Sequence, residues 1–286
     1  MTAATRSRIG TAAMVAPAAL FFIVLLVLPL VVVLVYSFGL RAPAGGYQPG
    51  FTLDNYLNLP ARAAAFLNTI TLAPLGTLVT VLIAYPLAYF LAVKVSPRWR
   101  TLLLVLVIVP FWASQLLRIY AWMMILGNRG IPSLLFAAGL GDIRLLNTPF
   151  AVLLGMVYGY LPLMVFPIYV SLEKLDRRLL EASADLGASP FRTFLQVTLP
   201  LSLPGVATGS MLVFILLMGE FIIPAFLGGG KVFFIGNALV DLFLQSRNWP
   251  FGAAVSVALV AIMLVVIVIY MRFILGRSGT RRMVLS

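Results

Sequence analysis

Five long stretches of this sequence carry no charged side chain: Ile9 to Leu40, Ala63 to Val93, Leu145 to Leu172, Thr193 to Gly219 and Asn248 to Met271. A helix that crosses a bilayer needs about 20 predominantly apolar residues, and each stretch exceeds that. A sixth, Thr101 to Leu117, is interrupted by Arg118 and resumes from Ile119 to Gly127. The pattern predicts six membrane-spanning helices near 14–37, 68–93, 101–126, 149–171, 201–223 and 251–275. Segments such as VALVAIMLVVIVIY are apolar on every face, whereas barrel strands alternate over about ten residues. The expected class is therefore an all-α integral membrane protein, with 1–286 forming a single transmembrane domain. The first run is too long for the ~7–15-residue apolar region of a secretion signal and is read as a retained helix.

Composition narrows the function. Hydrophobic residues make up 62% and charged residues 10%, against about 45–50% and 25% in soluble proteins, so a water-soluble enzyme is excluded. Without cysteine there are no disulfides or thiolate metal sites, and without histidine there is no imidazole base and no His ligand for zinc. No metal and no cofactor is expected. A net charge of +12 would suggest nucleic acid in a soluble chain; here it reads as a topology signal, with the bilayer rather than nucleic acid as the partner. With the amino terminus cytoplasmic, the inner segments hold thirteen basic residues: Arg6, Arg8, Lys94, Arg98, Arg100, Lys174, Arg177, Arg178, Arg192, Arg272, Arg277, Arg281 and Arg282. The outer segments hold six, at Arg41, Arg62, Arg129, Arg144, Lys231 and Arg247. Positively charged loops stay inside, so both termini are expected in the cytoplasm. The carboxy-terminal GRSGTRR either lies against anionic headgroups or is a solvated tail.

Prolines recur within the predicted spans, at Pro17, Pro29, Pro74, Pro86, Pro110, Pro162 and Pro167. Each removes a backbone donor, which membrane helices tolerate where neighbours or a water-lined cavity satisfy the freed carbonyl. One cytoplasmic segment departs from the apolar pattern. EKLDRRLLEASADLGASPFR, from Glu173 to Arg192, holds Glu173, Asp176, Glu181 and Asp185 beside Lys174, Arg177, Arg178 and Arg192. Leu172, Leu175, Leu179, Leu180 and Ala184 recur at helical spacing, and Glu173–Arg177 and Arg177–Glu181 are i,i+4 pairs. Gly187 is suited to the left-handed residue that ends a helix. Ser189-Pro190 reads as the N-cap and first position of a second helix, Pro190 to Val197, stopping near Leu199-Pro200. Two short helices about a glycine turn make a docking knob for a soluble partner; the alternative is a plain helical connection.

The run Glu181-Ala182-Ser183, then Gly187, then Val197-Thr198-Leu199-Pro200 resembles the EAA loop of ABC-importer membrane subunits, with Ser183 in place of Ala and Val197 in place of Ile. Val109-Pro110-Phe111-Trp112, Leu117 to Trp122, Gly219 to Pro224, Ile235-Gly236-Asn237 and Asn248-Trp249-Pro250 are similar to the first permease subunit of spermidine/putrescine importers. The resemblance implies the six-helix fold of a type I importer permease in a bacterial inner membrane. It implies a second, homologous permease subunit, two copies of a cytoplasmic ATPase and an extracytoplasmic binding protein as partners. It assigns 172–200 as the ATPase-coupling loop, carried by Glu181, Ala182, Ser183, Asp185, Gly187, Leu199 and Pro200. Relatives for other small solutes (amino-acid-like compounds, phosphonate, thiamine, ferric iron) share much of this frame.

Two charges fall within the spans. At 1.5 Å per residue, Arg118 lies about 26 Å from the inner face and Glu220 about 29 Å, both in the outer part of the membrane. Either they pair with each other, or Glu220 faces the translocation path and Arg118 pairs across a subunit interface. Trp112, Tyr120, Trp122 and Trp249 collect toward the same side, as interfacial belts or as a mouth where some ring faces attract ammonium groups. Asp241 is a further candidate for the path. Gly205 and Gly209 form a small-xxx-small pair suited to helix packing. Gly228-Gly229-Gly230-Lys231 lacks the spacing and the following Ser/Thr of a P-loop, so ATP hydrolysis belongs to a partner. An ion-driven transporter is the less favoured alternative, since repeats and several midplane ionisable groups are lacking. A membrane enzyme is disfavoured because no catalytic cluster is visible.

Overall fold

The computed structural model describes residues 14–139, 141 and 143–282, with the side chains of Arg177 and of 273–282 excepted. Arg6, Arg8 and Asp142 lie outside the described residues, as do the side chains needed for the Arg177 pairs and the GRSGTRR contacts. Five helices are long and apolar enough to cross a membrane, or six if one bent pair counts as a single span. They are α1 (Met14–Ser37), a second running Leu59–Lys94 whose regular part is α2 (Ala63–Tyr89), α6 (Pro149–Glu173), α8 (Pro190–Met218) and the Trp249–Arg272 part of α11 (Trp249–Arg282). The bent pair joins α3 (Pro97–Trp112) to α4 (Gln115–Leu126) and α5 (Ile131–Ala137). Shorter elements are α7 (Arg177–Asp185), α9 (Ile222–Leu227) and α10 (Ile235–Val240).

The third expected span is corrected. The chain bends by 87° between α3 and the helices that follow, at Ala113 and Ser114, whose ψ values are 145° and 131°. Extended backbone at two successive residues ends the helical hydrogen-bond ladder, so the depth of Arg118 is not a straight count from Thr101. The fifth span also differs: α8 begins at Pro190 rather than near 201, and ends at Met218 rather than 223. Leu199-Pro200 does not stop the helix. A π-helical turn, Phe194–Thr198, precedes Pro200, and a second, Ile23–Val27, precedes Pro29. Proline leaves the carbonyl four residues back without a donor, and the wider turn lets the ladder resume without a break.

The chain divides into two compact units. One comprises the segment through Arg62 together with Ala238–Ile262. In it the two-residue strands β1 (Leu40–Arg41) and β2 (Tyr47–Gln48) pair antiparallel. Their loop is anchored on the segment after α10. Arg41 Nη2 donates to the Ser246 carbonyl at 2.8 Å, and the Gly46 N–H donates to the Arg247 carbonyl at 2.7 Å. Tyr36 stacks on Tyr47 with ring centroids 4.1 Å apart. Phe21, Phe22, Leu25 and Leu26 on α1 are all more than half exposed, as expected of a surface that lipid would cover.

The other unit, Ala63–Asn237 with Met263–Ser286, is built on α2, α6 and α8. Their mutual faces bury Ala73, Ala84, Ala88, Val152, Met156, Met164, Val165, Ile168, Val213 and Leu217. Lipid tails are as apolar as leucine, so close van der Waals approach rather than hydrophobicity holds such helices together. Gly205 supplies that approach: a Cβ there would lie 2.5 Å from Ser171 Cβ and closer still to the Pro167 carbonyl. Gly209 meets Met164 in the same way. The helix-packing role expected of this glycine pair is what the structure contains.

Candidate coupling loop and intramembrane charge cluster

The loop between α6 and α8 is built by caps. The expected helix from Leu172 is interrupted: α6 ends at Glu173, Lys174–Asp176 leave the helix, and α7 starts afresh at Arg177. Asp176 is its N-cap, Oδ1 accepting the Arg178 N–H at 3.0 Å. Gly187 closes α7 with φ +78°, its N–H donating to Ala184 O at 2.9 Å while the Ala188 N–H donates to Ser183 O at 3.1 Å. Ser189 then caps the next helix with Pro190 in its first turn, Oγ accepting the Arg192 N–H at 3.4 Å. Both caps satisfy donors that a helix start leaves open. Across the turn the hydroxyls of Ser183 and Thr193 share a hydrogen bond of 2.9 Å. Ser183, which departs from the family pattern, thus ties the two helices.

Glu181, Ala182, Asp185 and Gly187 are exposed on this knob. So are Leu186 and Phe191, at 88% and 71%. A carboxylate pair beside two bare apolar side chains can receive a soluble protein surface. Leu199 and Pro200 are half-buried inside the continuous α8, close to where the Ser202 hydroxyl meets that of Tyr85 at 2.8 Å.

Glu220 follows the end of α8 and is 5% exposed. Its Oε1 accepts backbone N–H groups from Phe221 at 3.0 Å, Ile222 at 2.8 Å and Ile223 at 3.2 Å, the donors at the start of α9. Its Oε2 accepts the hydroxyl of Tyr160 on α6, and Gln115 Nε2 on α4 at 3.5 Å. The carboxylate is saturated with donors. Asn237 extends the arrangement, donating to Phe221 O at 2.7 Å and accepting the Phe234 N–H at 3.1 Å.

One expectation is corrected here. Arg118 and Glu220 form no ion pair among the described residues; the Arg118 guanidinium lies over the rings of Phe111 and Tyr158, at 5.7 and 6.0 Å. Glu220 is instead enclosed by backbone and side-chain donors of this chain. Tyr160 and Gln115 were missed in the sequence, although a polar residue inside an apolar span was an available signal. Trp122 packs edge-on to Tyr158 at 5.5 Å and so joins the Arg118 cluster. Tyr120 packs on Phe226 at 5.6 Å, and Trp112 is 82% exposed. Asp241 belongs to the first unit, where it pairs with Arg62 at 2.9 Å. The Glu220 cluster ties the end of α8 to α4, α6 and the start of α9.

Residues 84–278 match the family model of the binding-protein-dependent transport system inner membrane component. The chain belongs to this family. Among its relatives, the spermidine/putrescine transport system permease protein PotB of Haemophilus influenzae is 43% identical over 258 residues, 88% of this chain and 89% of that protein. PotB of Escherichia coli strain K12 is 42% identical over 250 residues, 86% of this chain and 90% of that protein. The inner membrane ABC transporter permease protein YdcU of the same organism is 33% identical, covering 79% of this chain and 76% of its own. A crystal structure of a bacterial ABC transporter involved in the import of the acidic polysaccharide alginate shares the fold. Its TM-score is 0.74 at 17% identity, over 94% of this chain and 96% of that one. The chain is thus an importer permease, and its six-helix fold includes one span that is broken.

Proposed function

We propose that this permease forms half of the translocation path for spermidine and putrescine in an ATP-binding-cassette importer. It pairs with a second, homologous permease subunit, two copies of a cytoplasmic ATPase and an extracytoplasmic binding protein. The observation that carries the substrate is the 42–43% identity to spermidine/putrescine permeases over 86–88% of the chain. Residues 172–200 are the coupling loop, with Glu181, Ala182, Ser183, Asp185 and Gly187 presented to the ATPase. Both termini and this loop are cytoplasmic, as the basic residues require. Substrate selectivity resides in the binding protein. Tyr120, Trp122, Trp112 and Asp241 contribute weak contacts along the path, because a tight site would trap a polycation.

The test is reconstitution with the partner permease, ATPase and binding protein, measuring ATP-driven uptake of labelled spermidine. Uptake that competes with putrescine is expected. A complex that retains the ATPase but moves a different solute would overturn the substrate, and a chain that retains no ATPase would overturn the assembly. Gly187→Val, which places a β-branched residue at φ +78°, should leave the protein inserted while ATP hydrolysis no longer drives uptake.

A further inference from the structure

The coupling loop leaves α6 through Lys174–Asp176, a segment that is not helical. A push on α7 would be lost in so soft a connection unless something fixed the end of α6. Arg100, near the start of α3, does this. Its Nη1 donates to Glu173 Oε1, the last residue of α6, at 3.4 Å. Its Nη2 donates to the carbonyls of Ala92 at 3.2 Å and Val95 at 3.4 Å, where the π-helical end of the second span, Phe90–Lys94, gives out. Glu173 Oε1 also accepts the Tyr169 hydroxyl at 2.6 Å, which holds the carboxylate toward Arg100.

One guanidinium therefore joins the carboxyl ends of two spans and the start of a third. Both ends present open carbonyls that favour a cation, and only a planar, forked donor reaches two of them and a carboxylate together. The Arg100 side chain is 18% exposed and Glu173 45%. An exposed ion pair alone would carry little, so the carbonyl bonds matter to the arrangement. Arg100 and Glu173 line a cavity of about 310 Å³ together with Leu180 and Glu181. The coupling helix α7 thus faces the strut across this cavity.

We propose that Arg100 is a positioning residue for energy coupling: with Glu173 it forms a strut that transmits movement of the coupling loop to the second span as well as to α6. This rests on the docking role given above to the loop. The assembled transporter is assayed with Arg100→Gln and Glu173→Gln, and the readout is solute transported per ATP hydrolysed. Each variant should insert and copurify the ATPase, while transport per ATP falls at least about fivefold, the lower end of a site-to-site coupling.

The chain contains no cysteine, so Arg100→Cys/Glu173→Cys can be joined by a short bis-maleimide. Coupling should be lost in the open double variant and return when it is linked, which a general packing defect would not do. Unchanged transport per ATP in Arg100→Gln, or a loss that the link does not recover, overturns the strut. Gly187→Val separates the two readings. If it uncouples while Arg100→Gln does not, only the strut falls; if neither uncouples, the docking role falls with it.

Discussion

Tyr160 on α6 donates its phenolic proton to the carboxylate of Glu220, whose other oxygen caps the start of α9. This one side chain joins the end of α8, the start of α9 and the middle of α6. A buried carboxylate holding that many donors is a structural clamp. Its removal orphans each donor at once, at about 1–3 kcal/mol for a buried group left without a partner.

Glu220→Ala is accordingly expected to cost at least about 3 kcal/mol, more than one orphaned buried group alone, read as a lower melting temperature in detergent. Glu220→Gln keeps an acceptor oxygen for the three N–H groups and should cost about 1 kcal/mol, a typical net hydrogen bond. Because Arg118 is not the partner of Glu220, Arg118→Gln should not restore a Glu220→Gln defect. Restoration would reinstate the ion pair.

The glycines of α8 give a graded prediction. Gly205→Ala drives a methyl group against backbone and Ser171, and should destabilise by about 1–3 kcal/mol through overpacking. At Gly209 the nearest atom is Met164 Sδ, at 2.9 Å from an added Cβ, and a thioether moves aside more easily. Thermal melts should therefore rank Gly205→Ala below Gly209→Ala. The opposite order would mean that α6 and α8 approach differently.

Arg62 and Asp241 test a partly exposed pair. Their side chains are 28% and 29% exposed, so solvent screening limits the bond to about 1 kcal/mol or less. Arg62→Gln and Asp241→Asn should each lose that amount, and the double variant should lose no more than the worse single one. Additive losses in a double-mutant cycle would show that the two side chains act separately.

Orientation is checked with single cysteines and a reagent that cannot cross the membrane. Ser96→Cys, exposed between the second span and α3, should react only from the cytoplasm. Gln48→Cys, exposed on β2, should react only from outside. Gly46, in the same hairpin, is unsuitable because it is buried at φ +94°. Labelling of Ser96→Cys in intact cells would reverse the topology.

The sequence by itself determined the class, and the Gly187 turn and Ser189 cap of the loop between α6 and α8. Each is a local property. An uncharged run longer than a bilayer is thick has few other solutions, and Gly187 and Ser189-Pro190 signal their turns through backbone preference alone. The tertiary structure alone decided what the buried charges do. Glu220 and Arg118 were legible as costly residues, but Tyr160 and Gln115, the partners of the first, and Tyr158, a partner of the second, lie on helices far along the chain. Sequence spacing carries no record of such neighbours. The 87° bend after Trp112 was hidden for a related reason. Hydropathy measures how apolar a run is, not whether its backbone stays helical, and Ala113-Ser114 breaks the ladder without changing the hydropathy. The Arg100 strut joins residues 73 apart in the chain, and only the packing of α2, α3 and α6 brings them within reach.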